Sequence, residues 1–136
     1  MYRPPSSRSA NAYQRINVET SMHTIDQHRL VGLLFEGVLG AIATARGALA
    51  RGDVLTKCNA VNRAVRILEE GLATGLDTVD GGELASNLEA LYDYCTRQLI
   101  LANARNDDVV LQQVARLVET VAQGWSQIRT GEAVEA

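Results

Sequence analysis

The 136-residue chain is poor in the residues that turns, strands and reactive sites require. Proline occurs twice, at Pro4 and Pro5, and aromatic side chains make up only 4% of the chain. An all-β domain of this length normally uses more proline in its turns and more aromatic residues in its strands. Since 46% of the residues are hydrophobic, composition favours a helical domain with an aliphatic core.

Residues that carry catalysis or bind metals are also scarce. The two histidines, His23 and His28, are five positions apart, and a catalytic triad or a three-ligand zinc site would need more. Cys58 and Cys95 are lone cysteines without CxxC spacing, which is typical of a reducing, cytosolic compartment. No glycine-rich phosphate loop is present. We therefore expect no enzyme activity, no catalytic or metal site and no cofactor.

Neither the charge nor the apolar runs indicate a nucleic-acid or membrane partner. The net charge of −3 argues against general nucleic-acid binding. The unbroken apolar runs are far shorter than the ~20 residues that a membrane span needs. The N-terminus lacks the apolar region of a secretory signal. We expect a cytoplasmic protein that neither binds nucleic acid nor inserts into a membrane.

Apolar residues recur every three or four positions in four long segments, as they do on one face of a helix. The predicted helices are Asp26 to Arg51, Asp53 to about Leu76, Glu83 to about Arg105, and Val109 to about Arg129. Because the connections are only two to six residues long, consecutive helices must be antiparallel. The pattern predicts an all-α, antiparallel up-down-up-down four-helix bundle with an N-terminal arm.

Local signals mark the ends of these helices. Gly52 and Asn106 can adopt the left-handed conformation that ends a helix. A short carboxylate can accept from the free N–H groups at a helix start. The candidate N-caps are Asp26, Asp53 and either Asp107 or Asp108. The predicted core faces are Leu30, Leu33, Leu34, Val38, Ile42, Ala45 and Leu49, then Cys58, Val61, Val65, Leu68 and Leu72, then Leu84, Leu88, Leu91, Cys95, Leu99 and Ala102, then Leu111, Val114, Val118, Val121, Trp125 and Ile128.

The chain divides into a flexible arm over residues 1–24, the bundle over residues 25–130 and a disordered tail over residues 131–136. The arm is too polar and too short to be a core helix, yet it carries Tyr13, Ile16 and Val18. Two interpretations stay open for it. It is either a fraying arm or a detachable apolar flap that docks on the bundle.

Several apolar residues lie off the core phases of the second and third helices. A helix that is apolar on more than one face is either buried all round or covers a partner. Exposed apolar grooves on a soluble protein mark interaction surfaces. The alternative is a wider core stripe combined with dimerisation. The candidate partner-binding residues are Leu55, Ile67, Leu76, Tyr92, Tyr94, Ile100 and Leu101 on the bundle, with Tyr13, Ile16 and Val18 on the arm.

Long stretches of the chain match the pattern of a known family. They are AYQRINVET, LVGLLFEG, RGDVLTK and GLDTVDGGELASNLEALYDYCTRQLILANARND, followed by Trp125. Over roughly residues 11–129 the chain resembles the flagellin-specific export chaperones of bacteria, the FliS family. GGELASNLEALYDY followed by LILANARND is a long, ordered match rather than a short motif.

The resemblance implies a cytoplasmic antiparallel four-helix bundle that is not an enzyme. It implies a chaperone that binds the disordered C-terminal segment of new flagellin, prevents its polymerisation and assists its delivery to the flagellar type III export apparatus. In the family pattern, the segment around Tyr13 and Ile16 covers the flagellin-binding pocket and contacts the export gate. Three positions before Tyr13, this chain has Ala10 where the family often has a larger aliphatic residue.

Two other function classes are kept beside this one. The first is a self-associating structural or regulatory four-helix-bundle homodimer, whose extra apolar surface pairs with itself. The second is an enzyme with an unrecognised site, which the shortage of histidine and of paired inward carboxylates disfavours.

Overall fold

The computed structural model describes the backbone of residues 5–78 and 82–128, and the side chains of residues 26–76 and 82–128. This part of the chain is helical and contains no strand, which confirms the all-α prediction. A π-helical segment, Ile67–Leu72, which we call the π-turn, and a 3-10 helix, Thr74–Thr78, follow the second α-helix. The α-helices are α1 (Pro5–Arg51), α2 (Val54–Arg66), α3 (Gly82–Arg105) and α4 (Asp108–Ser126).

The first helix begins at Pro5, far earlier than the predicted start at Asp26. Asp26 therefore lies inside α1 and is not its N-cap, so that prediction is wrong. The physical reason is that no proline or glycine interrupts the chain between Pro5 and Gly32. Proline itself is tolerated in the first turn of a helix, where its missing N–H would have no partner. At 47 residues, α1 is about 70 Å long.

Two of the connections are tight turns of the same kind. Gly52 (φ 76°) and Asn106 (φ 53°) both adopt the left-handed conformation, as predicted. The next residue in each turn, Asp53 or Asp107, donates its N–H to a carbonyl five positions back, at 2.9 Å in both cases. The side chain of each aspartate then accepts from the backbone N–H three positions on, at 3.2 Å. Both N-cap predictions are confirmed.

The second helix does not run unbroken to Leu76 as the spacing predicts. After Arg66 the helix widens into the π-turn, where the Ala73 N–H donates to the Leu68 carbonyl at 2.9 Å. The Thr74 hydroxyl donates to the carbonyls of Glu70 (2.8 Å) and Glu69 (3.2 Å). Hydrophobic spacing does not reveal this change, because Leu68 and Leu72 stay buried on either side of it.

Two glycines allow α1 and the π-turn to approach closely. A Cβ atom at Gly37 would lie 3.1 Å from the Cδ1 of Ile67, and one at Gly71 would lie 3.3 Å from both Cδ atoms of Leu34. Each glycine therefore faces an aliphatic side chain of the other element. The two contacts are reciprocal, and together they hold the π-turn against the middle of α1.

The core lies where α1 and α3 pack against both α2 and α4. It is aliphatic, as composition predicts, with Phe35 and Tyr92 as its buried aromatic residues in the described part of the chain. The core comprises Phe35, Val38, Ala41, Ile42 and Ala45 of α1; Ala60, Val61, Ala64, Leu68 and Leu72 of α2 and the π-turn; Leu88, Tyr92, Cys95, Leu99 and Ala102 of α3; and Leu111, Val114 and Val118 of α4.

Four residues predicted to face the core are instead exposed: Leu30, Leu33, Leu84 and Ile128. Leu30 and Leu33 each lie five positions before a core residue, Phe35 or Val38. At 100° per residue this places them about 140° around the helix from the core. Two apolar residues three or four positions apart share a helix face. Over several turns, however, the small angular differences add up, so the residues at the two ends of such a series can face different directions.

The stretch Asp26–Arg51 of α1 is long and apolar enough, by length and composition, to cross a bilayer. The length of unbroken apolar runs did not reveal this stretch, because charged residues interrupt its apolar sequence. Phe35, Val38 and Ile42 from this stretch are fully buried in the core. A core helix can meet the same criteria as a membrane span, and here 28% of the apolar window is buried in the protein.

Candidate partner-binding surface

The described part of the chain exposes many large apolar side chains. Ten of them keep more than two-fifths of their surface exposed: Leu30, Leu33, Val54, Leu55, Leu84, Tyr94, Ile100, Leu101, Val109 and Ile128. Single exposed apolar residues are ordinary on soluble proteins, whereas groups of them mark places where another molecule binds. Their distribution over the helices therefore decides which positions are candidates.

The two tight turns lie together at one end of the bundle. A small cavity of about 130 Å³ is lined by residues of both turns, Gly52 and Val54 from one and Asn106 from the other. Lys57, which is only 3% exposed, donates from its Nζ to the Asn103 carbonyl at 2.8 Å. The ammonium thus satisfies a carbonyl in the last turn of α3, where a helix end favours a positive charge.

An ion pair joins α1 to α4 at the same end. The Arg46 guanidinium donates to both carboxylate oxygens of Asp108, from Nε at 2.8 Å and from Nη2 at 3.0 Å. These hydrogen bonds lower the pKa of Asp108. They also raise the pKa of Arg46. Hydrogen bonds from Thr56 lower the pKa of Asp53 in the other turn. The backbone at this end of the bundle is thus held in place by the ion pair and by the N-cap hydrogen bonds.

Half of the exposed apolar side chains lie on this end of the bundle. We call them the turn-end residues: Val54, Leu55, Ile100, Leu101 and Val109. Val54 and Leu55 occupy the first turn of α2, Val109 the first turn of α4, and Ile100 and Leu101 the last two turns of α3. Because the backbone beneath them is held in place, these side chains are presented to solvent without needing to support the fold.

The structure separates the residues predicted to bind a partner into four groups, the last of which is Tyr92 alone. Leu55 (71% exposed), Tyr94 (49% exposed), Ile100 and Leu101 are exposed, as their off-core phase predicts. Ile67 and Leu76 are half-buried and pack against the core, so they do not line an open groove. Tyr13, Ile16 and Val18 lie outside the residues whose side chains are described.

Tyr92 departs furthest from its predicted exposure among the candidates whose side chains the structure describes. It is 4% exposed and belongs to the core, with its ring 6.3 Å from that of Phe35. The physical reason is visible in the spacing, since Tyr92 follows Leu88 by four positions and precedes Cys95 by three. Burial raises the pKa of Tyr92 to about 12 and that of Cys95 to about 11, so both stay protonated at neutral pH. Cys95 therefore lacks the thiolate of a reactive cysteine.

A clasp between α1 and the end of α4 was not predicted. The indole Nε1–H of Trp125 donates to the His28 carbonyl at 2.8 Å, and His28 Nε2 donates to the Trp125 carbonyl at 2.7 Å. The two rings stack with centroids 4.8 Å apart. The spacing of Trp125 predicts only that it lies on the core face of the fourth helix. Nothing in the sequence shows that His28 would be its partner.

An open cleft of about 440 Å³ lies between the π-turn and α3. The prediction of apolar grooves did not find it, because its floor contains Tyr92 and Thr96 and its rim contains three carboxylates. Its lining residues are Leu68, Glu69, Ala73, Ser86, Glu89, Ala90, Tyr92, Asp93 and Thr96. Among the described residues, no group of three or more histidine, cysteine, aspartate or glutamate side chains is arranged to hold a metal ion.

Over most of its length the chain is similar to one family of known proteins. The family model described as "Flagellar protein FliS" matches residues 9–132. The flagellar secretion chaperone FliS of Salmonella typhimurium is 41% identical over 117 residues, which is 86% of this chain and 87% of the relative. FliSB of Pseudomonas aeruginosa is 37% identical over 89% of this chain and 95% of its own. FliS of Escherichia coli is 34% identical over 90% of each chain.

Proposed function

Because the chain belongs to the FliS family of flagellar secretion chaperones, we propose that its client is flagellin, whose disordered C-terminal segment it binds along exposed apolar helix surfaces. The family is one of chaperones and not of enzymes. In this proposal the protein acts in the cytoplasm, prevents premature polymerisation of flagellin and assists its delivery to the gate of the flagellar type III export apparatus. The apolar side chains at the turn end are the observation that carries it.

A disordered client suits a surface of this kind. A disordered segment loses conformational entropy when it binds, so it needs contacts spread over a long track rather than one deep pocket. The exposed apolar residues extend from Leu84 in the first turn of α3 through Tyr94 to Leu101 near its end. Tyr94 and Leu101 are seven positions apart and share one face of α3, as anchors for a bound helix would. Tyrosine adds a large contact area with a polar tip.

The bundle topology is part of the proposal. The helix pairs that pack together are α1 with α2 and α4, and α3 with α2 and α4. The two tight turns make α1 antiparallel to α2 and α3 antiparallel to α4. We propose that the four helices complete an up-down-up-down order. Long helices in this order place grooves side by side on the surface, where a segment can wrap from one to the next.

We propose that residues 1–24, whose backbone from Pro5 onward continues α1 in the structure, fold back to act as a detachable cover carrying Tyr13, Ile16 and Val18. An empty apolar surface promotes aggregation, and a weakly held cover would protect it until the client displaces it. Hydrogen exchange tests the cover directly. Residues 12–18 should exchange slowly in the free protein and faster once the client is added. Exchange at the same rate in both states would exclude the cover.

A self-associating dimer is the second candidate, because the same exposed apolar residues could meet those of another copy. Light scattering after size exclusion, with and without a flagellin C-terminal peptide, separates the two. A chaperone gives a 1:1 complex whose mass rises on adding peptide. A dimer that ignores the peptide supports the alternative.

Charge substitutions at the turn end test the binding surface. Leu55→Glu and Leu101→Glu each place a carboxylate on an exposed apolar contact and should weaken flagellin-peptide binding by about tenfold or more, the scale of a contact residue worth over 1 kcal/mol. Gln123→Glu adds the same charge at an exposed position of α4 away from the turn end and should bind like the parent. Circular dichroism must show all three folded. Parent-like binding by both leucine variants would place the flagellin track elsewhere.

A further inference from the structure

The cleft between the π-turn and α3 differs from the exposed apolar surface because polar and acidic side chains contribute to its lining. Five of its residues, Ser86, Glu89, Ala90, Asp93 and Thr96, recur at spacings of three and four and so share one face of α3. Leu68, Glu69 and Ala73 form the opposite wall. π-helical segments inside α-helices occur frequently at functional sites. The cleft is thus bounded on one side by the irregular part of the chain.

Two hydroxyl groups in the cleft have no partner within the part of the chain that the structure describes. Tyr92 is 4% exposed and Thr96 is 6% exposed, and both line the cleft. Neither hydroxyl makes a hydrogen bond to any described residue. Neither oxygen is fully enclosed, so what remains accessible of each faces the cleft. Both hydroxyl oxygens are therefore free to accept a hydrogen bond from a group that enters the cleft.

The charge around the cleft is negative. Glu69, Glu89 and Asp93 line it, and among the residues whose side chains the structure describes no lysine, arginine or histidine does. Asp93 pairs with Arg97 at 3.0 Å, one turn along α3. Glu69 and Glu89 form no ion pair with any described residue. The carboxylates of Glu69 and Glu89 are therefore left to attract a positively charged group.

We propose that this cleft seats a lysine side chain of the bound client polypeptide, an anchor separate from the apolar contacts at the turn end. The inference rests on the proposed function, in that the partner is a polypeptide client. The aliphatic walls of Leu68, Ala73 and Ala90 suit a lysine stem, which packs on apolar surface while its ammonium stays with polar groups. The ammonium has three donors, which match the two hydroxyl oxygens and a carboxylate.

A pair of small probes tests the cleft without any client. Nα-acetyl-lysine methylamide carries the stem and the ammonium, and Nα-acetyl-norleucine methylamide carries a similar stem without the charge. In titrations followed by ¹⁵N-NMR, the lysine compound should give saturable shifts at the amides of residues 89, 92, 93 and 96. The norleucine compound should bind at least about fivefold more weakly. Equal affinity for the two compounds, or chemical-shift changes that never saturate, would overturn the inference.

Substitutions connect the probe to the cleft residues. Glu89→Gln keeps the shape and removes one carboxylate, and Tyr92→Phe removes only the hydroxyl. Each should weaken the lysine compound by about threefold to tenfold, the scale of one hydrogen bond or charge contact. Glu119→Gln, which removes an exposed carboxylate of α4 outside the cleft, should leave binding unchanged. A loss for Glu119→Gln equal to that for Glu89→Gln would show only general attraction to an acidic protein and would overturn the cleft.

A flagellin pull-down with the same proteins separates the two proposals. If flagellin is captured while the lysine compound does not bind, the cleft inference fails and the client assignment stands. If the lysine compound binds at the cleft and flagellin is not captured, the client assignment fails and the basic-residue site stands.

Discussion

Tyr92 and Tyr94 are two positions apart on α3, and their surroundings are opposite. Tyr92 lies in the core beside Phe35, while half of Tyr94 is exposed to solvent. Replacing a buried aromatic residue by alanine usually costs about 3–5 kcal/mol, because the cavity does not fully collapse. Exposed positions usually change stability by less than about 0.5 kcal/mol. We expect Tyr92→Ala to lower the free energy of unfolding by several kcal/mol and Tyr94→Ala to change it little.

Urea unfolding followed by circular dichroism measures both variants. For flagellin binding we expect the reverse order. Among variants that remain folded, Tyr94→Ala should bind flagellin more weakly. Equal stability losses at the two positions would show that the assignment of Tyr92 to the core is wrong. Tyr92→Phe, which keeps the ring, should retain nearly the full stability of the parent and serves as the control.

The sequence contained the information for this distinction, but only in the relation of Tyr92 to its neighbours. Its spacing from Leu88 and Cys95 places it in the core phase, while its polar hydroxyl and its neighbour Tyr94 suggest a surface residue. Leu30 and Leu33 show the opposite error, since their spacing of three or four positions from apolar neighbours put them on the core face. An apolar residue on a helix is either a core residue or a partner contact, and composition cannot tell which.

At the scale of elements, substitution of the two glycines between α1 and the π-turn should have a measurable packing cost. A methyl group at Gly71 or Gly37 would press on Leu34 or Ile67 at 3.3 or 3.1 Å. Overpacking of this kind typically costs about 1–3 kcal/mol. A methyl group at Gly40 would meet no neighbouring atom within 4 Å, so alanine there gains helix propensity alone, about 0.5–1 kcal/mol.

We therefore expect Gly71→Ala and Gly37→Ala to lower the melting temperature and Gly40→Ala to raise it. Thermal unfolding by circular dichroism gives all three shifts in one experiment. If alanine stabilises all three positions alike, the close approach of α1 to the π-turn is not present in solution.

The ion pair between α1 and α4 makes a prediction about pH. Hydrogen bonds from Arg46 hold the pKa of Asp108 below its usual value of 3.8, so the unfolded chain takes up this proton more readily than the folded protein. The stabilisation is fully present above pH 3.8 and is lost as the pH falls through the lower folded-state pKa. The destabilisation caused by Asp108→Asn should be largest at neutral pH and shrink as the solution is acidified below that value.

Unfolding curves of the parent and Asp108→Asn over this pH range provide the measurement. Glu119→Gln is the control, since Glu119 is exposed and forms no ion pair with the residues that the structure describes. A difference between the parent and Asp108→Asn that does not change with pH would mean that the charge of Asp108 contributes nothing to stability.

The elements also show where sequence reasoning succeeds and where it stops. Both tight turns were predictable because a left-handed glycine or asparagine followed by a capping aspartate is a local signal. The start of α1 was not predictable in this way, because Asp26 is as good an N-cap candidate as Asp53. The helix continues upstream of Asp26 because no proline or glycine interrupts it there. The π-turn has no local signal at all, since its buried leucines keep an ordinary four-residue spacing.

At the scale of the whole molecule, the family was predictable from the sequence, whereas the exposed residues of the candidate binding surface were only partly predictable. The match runs over most of the chain, so it does not depend on one motif. The turn end depends on two distant turns meeting, through Lys57 and Asn103, and no local pattern in the sequence contains that contact. The cleft depends on α3 facing the π-turn, which the sequence predicts as an ordinary stretch of helix.

The most direct test of the central claim is capture of flagellin by the tagged protein, using full-length flagellin and flagellin lacking its C-terminal ~40 residues, a length on the scale that a segment wrapping a bundle needs. We expect the full-length protein to be retained and the truncated one to be lost, with the parent and Gln123→Glu alike and Leu101→Glu reduced. Equal retention of both flagellins would contradict C-terminal recognition. Retention of neither would contradict flagellin as the client.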